Sequence, residues 1–192
     1  MVKQKQIIII AVVGMPGAGK SISCQHLSKK GYPILRFGDQ TDIGLKEQGL
    51  SLTPKNERKY REDLRKQLGM AAYAVKIEPR IRKTLKQSNI IILDGLYSWE
   101  EYIYLKDKFA NFFLLAIYAR PIIRYQRLTK RKTRPLTIKQ ARERDIAELE
   151  NLNKGGPIAL ADFLIKNNKQ TDKLFKKLDY TLNLIKHHTL EV

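Results

Sequence analysis

Five short apolar runs punctuate the chain, and helical spacing fills the intervals between them. The first, residues 7–13, is continuous and β-branched with no polar alternation, the pattern of a strand buried on both faces of a parallel sheet. Residues 33–37 form a second run, 90–93 a third that ends in Asp94-Gly95, 112–118 a fourth and 163–166 a fifth. Helical spacing over about 20–30 is stopped by Gly31. A longer helical stretch covers about 53–87, with Thr53 as cap, Pro54 at the first helical position and a break or bend near Gly69 and Pro79. Ser98 and Glu101 have the spacing of a capping box, opening a helix to about 109. Further helices start at Pro121 and at Thr137, the latter reaching about 152. In the last one Leu174, Leu178, Leu182 and Ile185 recur on one face. Strand and helix alternate five times, with no repeat or linker. This predicts an α/β fold in one domain over residues 1–192: a five-stranded parallel sheet with helices on both faces.

Composition narrows the class. Hydrophobic residues make 43% and charged residues 29%, an ordinary globular balance, and no apolar run is long enough to cross a bilayer. The N-terminal pattern is not that of a signal peptide, and the lone Cys24 excludes an internal disulfide framework, so the expected location is cytoplasmic and away from membranes. Three histidines without a Cys/His cluster argue against structural zinc. The net charge of +18, from 37 basic against 19 acidic residues, points to polyanionic partners: a small phosphate-containing substrate, or nucleic acid.

The candidate chemistry starts at Gly14-Met15-Pro16-Gly17-Ala18-Gly19-Lys20-Ser21, a full G-x-x-x-x-G-K-[ST] match with a strand before it and a helix after. Glycines let successive backbone N–H groups converge on phosphate oxygens, and the helix N-terminus adds its dipole. All eight residues are therefore assigned to ATP, with Lys20 on the β- and γ-phosphates and the Ser21 hydroxyl on Mg²⁺. Cys24 reads as a packing residue. Ligands of an open parallel sheet lie beyond the carboxyl ends of its strands, which directs attention to Asp39 and Asp94. Asp94 reads either as a metal-shell carboxylate or as an ordinary Asp-Gly turn. Asp39 reads either as the group that takes or positions an acceptor hydroxyl proton or as a turn residue. Arg58, Arg61 and Arg65 share one helical face, interleaved with Glu57, Glu62 and Asp63, which favours a salt-bridge lattice. Trp99, Tyr102 and Tyr104 read as core. Residues 120–134 hold Arg120, Arg124, Arg127, Arg131 and Arg134 and no acid, so one continuous helix would align five unpaired arginines as an anion clamp or a nucleic-acid track.

The P-loop, Phe37-Gly38-Asp39, Leu93-Asp94-Gly95, Arg127-Leu128-x-x-Arg131 and Ala161-Asp162-Phe163-Leu164-Ile165-Lys166-Asn167 occur in the order found in nucleoside monophosphate kinase-like P-loop kinases. The chain most resembles dephospho-CoA kinase and a related family of small archaeal kinase-like proteins. That resemblance implies a helical substrate-binding insert at about 40–88 and a lid at about 127–137 that carries catalytic Arg127 and Arg131. It also assigns Asp39 to the acceptor. Relatives often carry an arginine shortly after each Gly-Asp or Asp-Gly pair, whereas here those neighbourhoods read Gln40-Thr41-Asp42 and Leu96-Tyr97-Ser98. Either the acceptor is not a simple monophosphate, or the face of Arg58 to Arg65 grips it instead. The expected activity is Mg²⁺·ATP-dependent phosphoryl transfer to dephospho-CoA or a nucleoside monophosphate. The alternatives are a nucleic-acid-binding protein or polynucleotide kinase, and an ATP-binding switch without fast transfer.

Overall fold

The computed structural model describes residues 6–188, so the reading of the N-terminal segment concerns residues largely outside that range. The chain runs β1 (Ile8–Val13), α1 (Lys20–Lys29), β2 (Ile34–Arg36), α2 (Asp39–Glu47), α3 (Pro54–Leu68), α4 (Ala72–Leu85), β3 (Ile90–Asp94), α5 (Trp99–Lys108), β4 (Phe112–Tyr118), α6 (Pro121–Thr129), α7 (Ile138–Glu150), α8 (Gly155–Ala159), β5 (Phe163–Lys166) and α9 (Thr171–His188). All five strands are parallel, in the order β2-β3-β1-β4-β5. Among the described residues, no helix is long and apolar enough to cross a membrane.

The sheet is covered on both sides because β1, the central strand, is buried on both faces. Its odd-numbered residues, Ile9, Ala11 and Val13, pack with Leu93 and Leu114 under α2 to α5. Its even-numbered residues, Ile8, Ile10 and Val12, pack with Leu27 of α1 and with Leu174, Leu178, Leu182 and Ile185 of α9. A strand's period of two and a helix's of 3.6 thus meet in two apolar layers. Local signals set the helix starts. The Thr53 side chain accepts from the Asn56 N–H at 3.2 Å with Pro54 behind it, and complete capping boxes open α5 (Ser98, Glu101) and α7 (Thr137, Gln140).

Three local expectations change. Asp39 does not lie in a loop after β2; it is the first residue of α2, an element whose spacing is obscured by Gly44. That glycine is steric in origin: a Cβ there would come within 2.0 Å of the Tyr60 hydroxyl oxygen and 2.1 Å of its ring, so Gly44 is what lets α3 pack on α2. Pro79 does not break its helix. It lies on the exposed side of α4, which is held by buried Tyr73, Ile77 and Ile81 on the other side. Trp99 is 37% exposed rather than core, with its ring against Gly156 of α8 and tilted on Tyr102, which packs against the core layer beneath α5.

Gly44→Ala should therefore destabilise the fold by about 1–3 kcal/mol through overpacking. Adding Tyr60→Leu should recover part of the loss in a denaturant titration. An unchanged midpoint for Gly44→Ala would contradict this account of the α2–α3 contact.

Candidate active site

Strand register assembles the site. Val12 pairs with Asp94 on one side, Val13 pairs with Ala116 on the other, and Arg36 pairs with Asp94. The ends of β1, β2 and β3 therefore bring residues 14–21, Arg36 and Asp94 to one crevice. Within the loop, Gly14 (φ +140°) and Gly19 (φ +113°) adopt angles that L side chains rarely reach. A Cβ would also lie 2.3 Å from the Ile117 carbonyl oxygen at Gly14, and 2.4 Å from Asn167 Nδ2 at Gly19.

The loop's carbonyls are held from outside. Arg124 donates to Pro16 O at 2.9 Å, Asn167 Nδ2 donates to Ala18 O at 2.8 Å, and Arg127 approaches Gly17 O at 3.4 Å and Ala18 O at 3.5 Å. Peptide N–H groups point opposite to carbonyls, so these bonds turn donors toward the crevice, where the start of α1 adds unsatisfied N–H groups. Lys20 donates to Gly14 O at 2.7 Å and Met15 O at 3.3 Å. Burial, then the nearby Lys154 ammonium, lowers the Lys20 pKa to about 7 against the opposing pull of Glu148 and Asp94. A buried cation this poorly compensated favours an arriving anion.

Arg36 links the two candidate carboxylates, with its guanidinium 3.8 Å from Asp39 and 3.8 Å from Asp94. Arg80 donates to Asp39 at 3.3 Å. Burial raises the Asp94 carboxyl, opposed by Lys20 and Arg36. Ser21 is exposed at the first turn of α1. Among the described residues, no group of three or more His, Cys, Asp or Glu side chains forms a metal cage. The available donors are a hydroxyl and a half-buried carboxylate, hard oxygens that suit Mg²⁺ held jointly with substrate phosphates and water. Cys24 is buried, its thiol pushed far up by burial and by Asp94, and it packs with Leu27 in the core.

Two hollows flank this centre. A groove of about 290 Å³ runs past Gly17, Gly19, Lys20 and Ser21 to Arg127 and Arg131. On the other side a cavity of about 470 Å³ lies between α2, α3 and α7, and Arg36, Arg61, Arg65, Arg134 and Arg144 all line it. Arg61 is 3.4 Å from Glu57 and Arg144 donates to Glu148 at 3.0 Å. Arg65 Nε is buried without a hydrogen-bond partner, while its guanidinium lies 5.5 Å from the Tyr73 ring centroid. An unmet buried donor costs about 1–3 kcal/mol, so this side chain gains from an added acceptor. Of the arginines on α3, Arg58 belongs to the surface lattice, 2.8 Å from Glu62, whereas Arg61 and Arg65 turn toward the cavity.

The arginine row does not form. Helix α6 ends at Thr129, and the chain folds back so that Leu136 N–H donates to Leu128 O at 3.2 Å. Arg124 is buried and donates to both Asp145 oxygens, at 2.9 and 2.5 Å, a structural tie between α6 and α7. Arg131 donates to Thr133 O at 2.6 Å and Arg134 O at 2.7 Å, shaping the loop. Arg127 and Arg131 still meet at the groove, Arg134 faces the other cavity, and Arg120 is exposed at the start of α6.

Sequence reasoning missed Arg36, Arg80, Arg144, Glu148 and Lys154. Lys154 is fully buried, paired with Glu148, and 4.5 Å from the Tyr97 ring centroid. Glu148 and Arg144 are visible only as an i, i+4 pair on α7. Arg36, immediately before Phe37-Gly38-Asp39, was the one position the strand-end rule could have found.

A family model described as an AAA domain matches residues 10–151. The UPF0200 protein of Methanocaldococcus jannaschii is 35% identical over 181 residues, covering 93% of this chain and 91% of the relative. That of Thermococcus kodakarensis is 34% identical, covering 84% and 89%. Among solved structures, TT1252 from Thermus thermophilus superposes with a TM-score of 0.67 at 19% identity, covering 93% of this chain and 98% of that one. Shikimate kinase from Acinetobacter baumannii gives 0.58 at 16% identity, with 97% of both chains covered. A gluconokinase from Sinorhizobium meliloti gives 0.56 at 13%, covering 98% and 99%. At these identities the solved structures establish the fold, a P-loop kinase-type α/β sheet.

Because a polyphosphate beside Lys20 returns its pKa toward the ordinary lysine range, ATP binding at pH 8 should take up close to one proton. Affinity should then fall as pH rises above about 7. Calorimetry in buffers of different ionisation enthalpy measures the uptake, and Lys20→Met should abolish it. Proton-neutral binding by the unaltered protein would contradict the assigned role of Lys20.

Proposed function

This chain belongs to the UPF0200 family, and on that premise we propose that it transfers the γ-phosphoryl group of Mg²⁺·ATP to a hydroxyl or phosphate oxygen of a small anionic acceptor. The observation that carries this reading is the pairing of two hollows around one crevice. The P-loop groove suits the donor, and the cavity lined by five arginines suits an acceptor with its own phosphate or carboxylate. Dephospho-CoA, which carries a pyrophosphate and a free ribose hydroxyl, is the first candidate, ahead of a nucleoside monophosphate. The arginines that relatives often place after Gly-Asp and Asp-Gly are replaced by Arg36, Arg61 and Arg65, which reach the cavity from β2 and α3.

The assigned roles rest on the motif and on the crevice, where Asp39 and Asp94 line neither hollow but both lie 3.8 Å from Arg36, which lines the larger one. Residues 14–21 bind the triphosphate through backbone N–H groups, and Lys20 leaves the Gly14 and Met15 carbonyls to neutralise the β- and γ-phosphates. Ser21 and Asp94 would hold Mg²⁺, whose chemistry is to neutralise phosphate charge during transfer. Asp39, oriented by Arg80, accepts the proton of the attacking hydroxyl as the phosphorus–oxygen bond forms, and ADP leaves with the β-phosphate oxygen. Arg127 and Arg131 lie where charge spreads over the transferring group. Residues 1–192 are read as one domain, with an acceptor insert at about 40–88 and a lid at about 127–137.

Asp39→Asn should lower kcat by on the order of 10²-fold with ATP affinity little changed, as for a lost general base. If ATP affinity collapses while kcat holds, Asp39 belongs to the donor side. Arg127→Ala and Arg131→Ala should each lower kcat far more than they weaken ATP binding, by on the order of 10²-fold or more, with poor rescue by lysine. Stopped-flow binding and steady-state turnover, measured on the same variants, separate the two quantities. Full turnover in the double variant would remove both arginines from the mechanism.

A further inference from the structure

The charge of +18 leaves many basic side chains without an acidic partner. On α3, α4 and α7 four arginines are matched one turn away, Arg58 by Glu62, Arg61 by Glu57, Arg82 by Glu78 and Arg144 by Glu148, while exposed Lys59, Lys66, Lys83 and Lys139 are scattered singly over the same helices. Such pairs serve helix stability and solubility and need no partner. Helix α9 differs. Its outward face carries Lys173, Lys176 and Lys177 around Tyr180, all exposed, and Tyr180 is 66% exposed. Among the described residues none of these three lysines has a carboxylate within ion-pair distance. Asp179 on the same helix is turned away toward α1, where it meets Lys30 and His26, each at 2.8 Å.

The row does not stop at the helix. Lys169 is exposed just before α9, and Thr171, its first residue, lines the P-loop groove together with Arg131. Lys130, Arg131 and Lys132 therefore continue the positive surface across the mouth of the groove, whereas Arg134 faces the opposite cavity. We propose that the outer face of α9, continued by the loop of residues 130–132, binds single-stranded nucleic acid.

The chemistry selects that partner among polyanions. From Lys173 to Tyr180 the face spans about 10 Å of helix, the length of about three stacked nucleotides. Cations flank a large exposed ring, the combination that tracks a phosphate backbone while a base stacks on the aromatic. A membrane-seeking helix needs an apolar side free to insert. Here that side, with Leu174, Leu178, Leu182 and Ile185, is buried in the core. The α9 face is separate from the phosphotransferase reading and holds whether or not that activity is found, whereas Arg131 belongs to both readings and is left unaltered in the test.

The test is fluorescence anisotropy of the full chain with a labelled single strand of about twenty nucleotides, over a series of salt concentrations. One variant removes the row (Lys173→Ala, Lys176→Ala, Lys177→Ala). A control of equal net charge removes three exposed lysines elsewhere (Lys46→Ala, Lys83→Ala, Lys86→Ala). The row variant should lose at least about tenfold in affinity, and its salt slope should fall by about two units, while the control stays within about twofold. Tyr180→Ala should weaken the single strand about tenfold and leave duplex binding unchanged. Circular dichroism should show all three variants folded, since every altered side chain is exposed. Equal losses in the two triple variants would reduce the effect to bulk charge and overturn the proposal. So would a row that governs binding to phosphatidylserine vesicles but not to the oligonucleotide, or a Tyr180→Ala protein that binds single strands normally.

Discussion

The carbonyl oxygens of Pro16, Gly17 and Ala18 all meet donors that come from other parts of the chain: the guanidiniums of Arg124 and Arg127 on α6, and the Asn167 amide beyond β5. Each bond fixes the direction of a peptide plane, and a plane whose carbonyl points out has its neighbouring N–H turned in. The anion-binding character of the loop thus depends on residues more than a hundred positions away in sequence. Arg124 is held in turn by both oxygens of Asp145, so α7 and the loop are mechanically joined. A buried pair of this kind adds little net stability, but breaking it leaves an uncompensated charge beside the loop. Its value here is geometric.

The second constraint is electrostatic. Lys20, Lys154 and Arg144 gather around only two carboxylates, Glu148 and Asp94, which compensates Lys20 so poorly that its pKa drops to about 7. Lys154 gives the clearest case of cost, being buried with Glu148 as its ionic partner and its own pKa lowered by burial. An arrangement that is short of negative charge at its centre, and bordered by an arginine-lined cavity, is organised around anions on both sides. In the proposed reaction, two anionic substrates would bring that missing charge.

The strands were legible because their causes are local. Residues 112–118 and 163–166 have the bounds read from the apolar runs, and β1 announced its burial by lacking polar alternation. The P-loop was legible as a motif, and asking which residues follow strands or sit in the Arg-rich segment singled out Asp39 and Asp94, which Arg36 approaches, and Arg127 and Arg131, which line the P-loop groove. What stayed hidden is long-range. No pattern near Arg124 shows that its partner is Asp145, twenty-one residues on, so the five arginines read as one aligned row, whereas Arg124 is structural, Arg127 and Arg131 line the groove, Arg134 lines the opposite cavity and Arg120 is exposed. Helix α2 was hidden because Gly44, needed to make room for Tyr60 of α3, weakens its own helical signal. Lys154 follows an unremarkable turn, and its burial depends on Tyr97 and Glu148 meeting it from two other segments.

The account stands or falls on whether the two hollows hold a donor and an acceptor of one reaction. A screen with γ-labelled ATP, Mg²⁺ and a panel of dephospho-CoA, nucleoside monophosphates, 5′-hydroxyl oligonucleotides and neutral polyols tests this most directly. The account predicts label on a small anionic acceptor and none with a folded Lys20→Ala protein. Label on neutral polyols alone, or transfer that persists without Lys20, would contradict it.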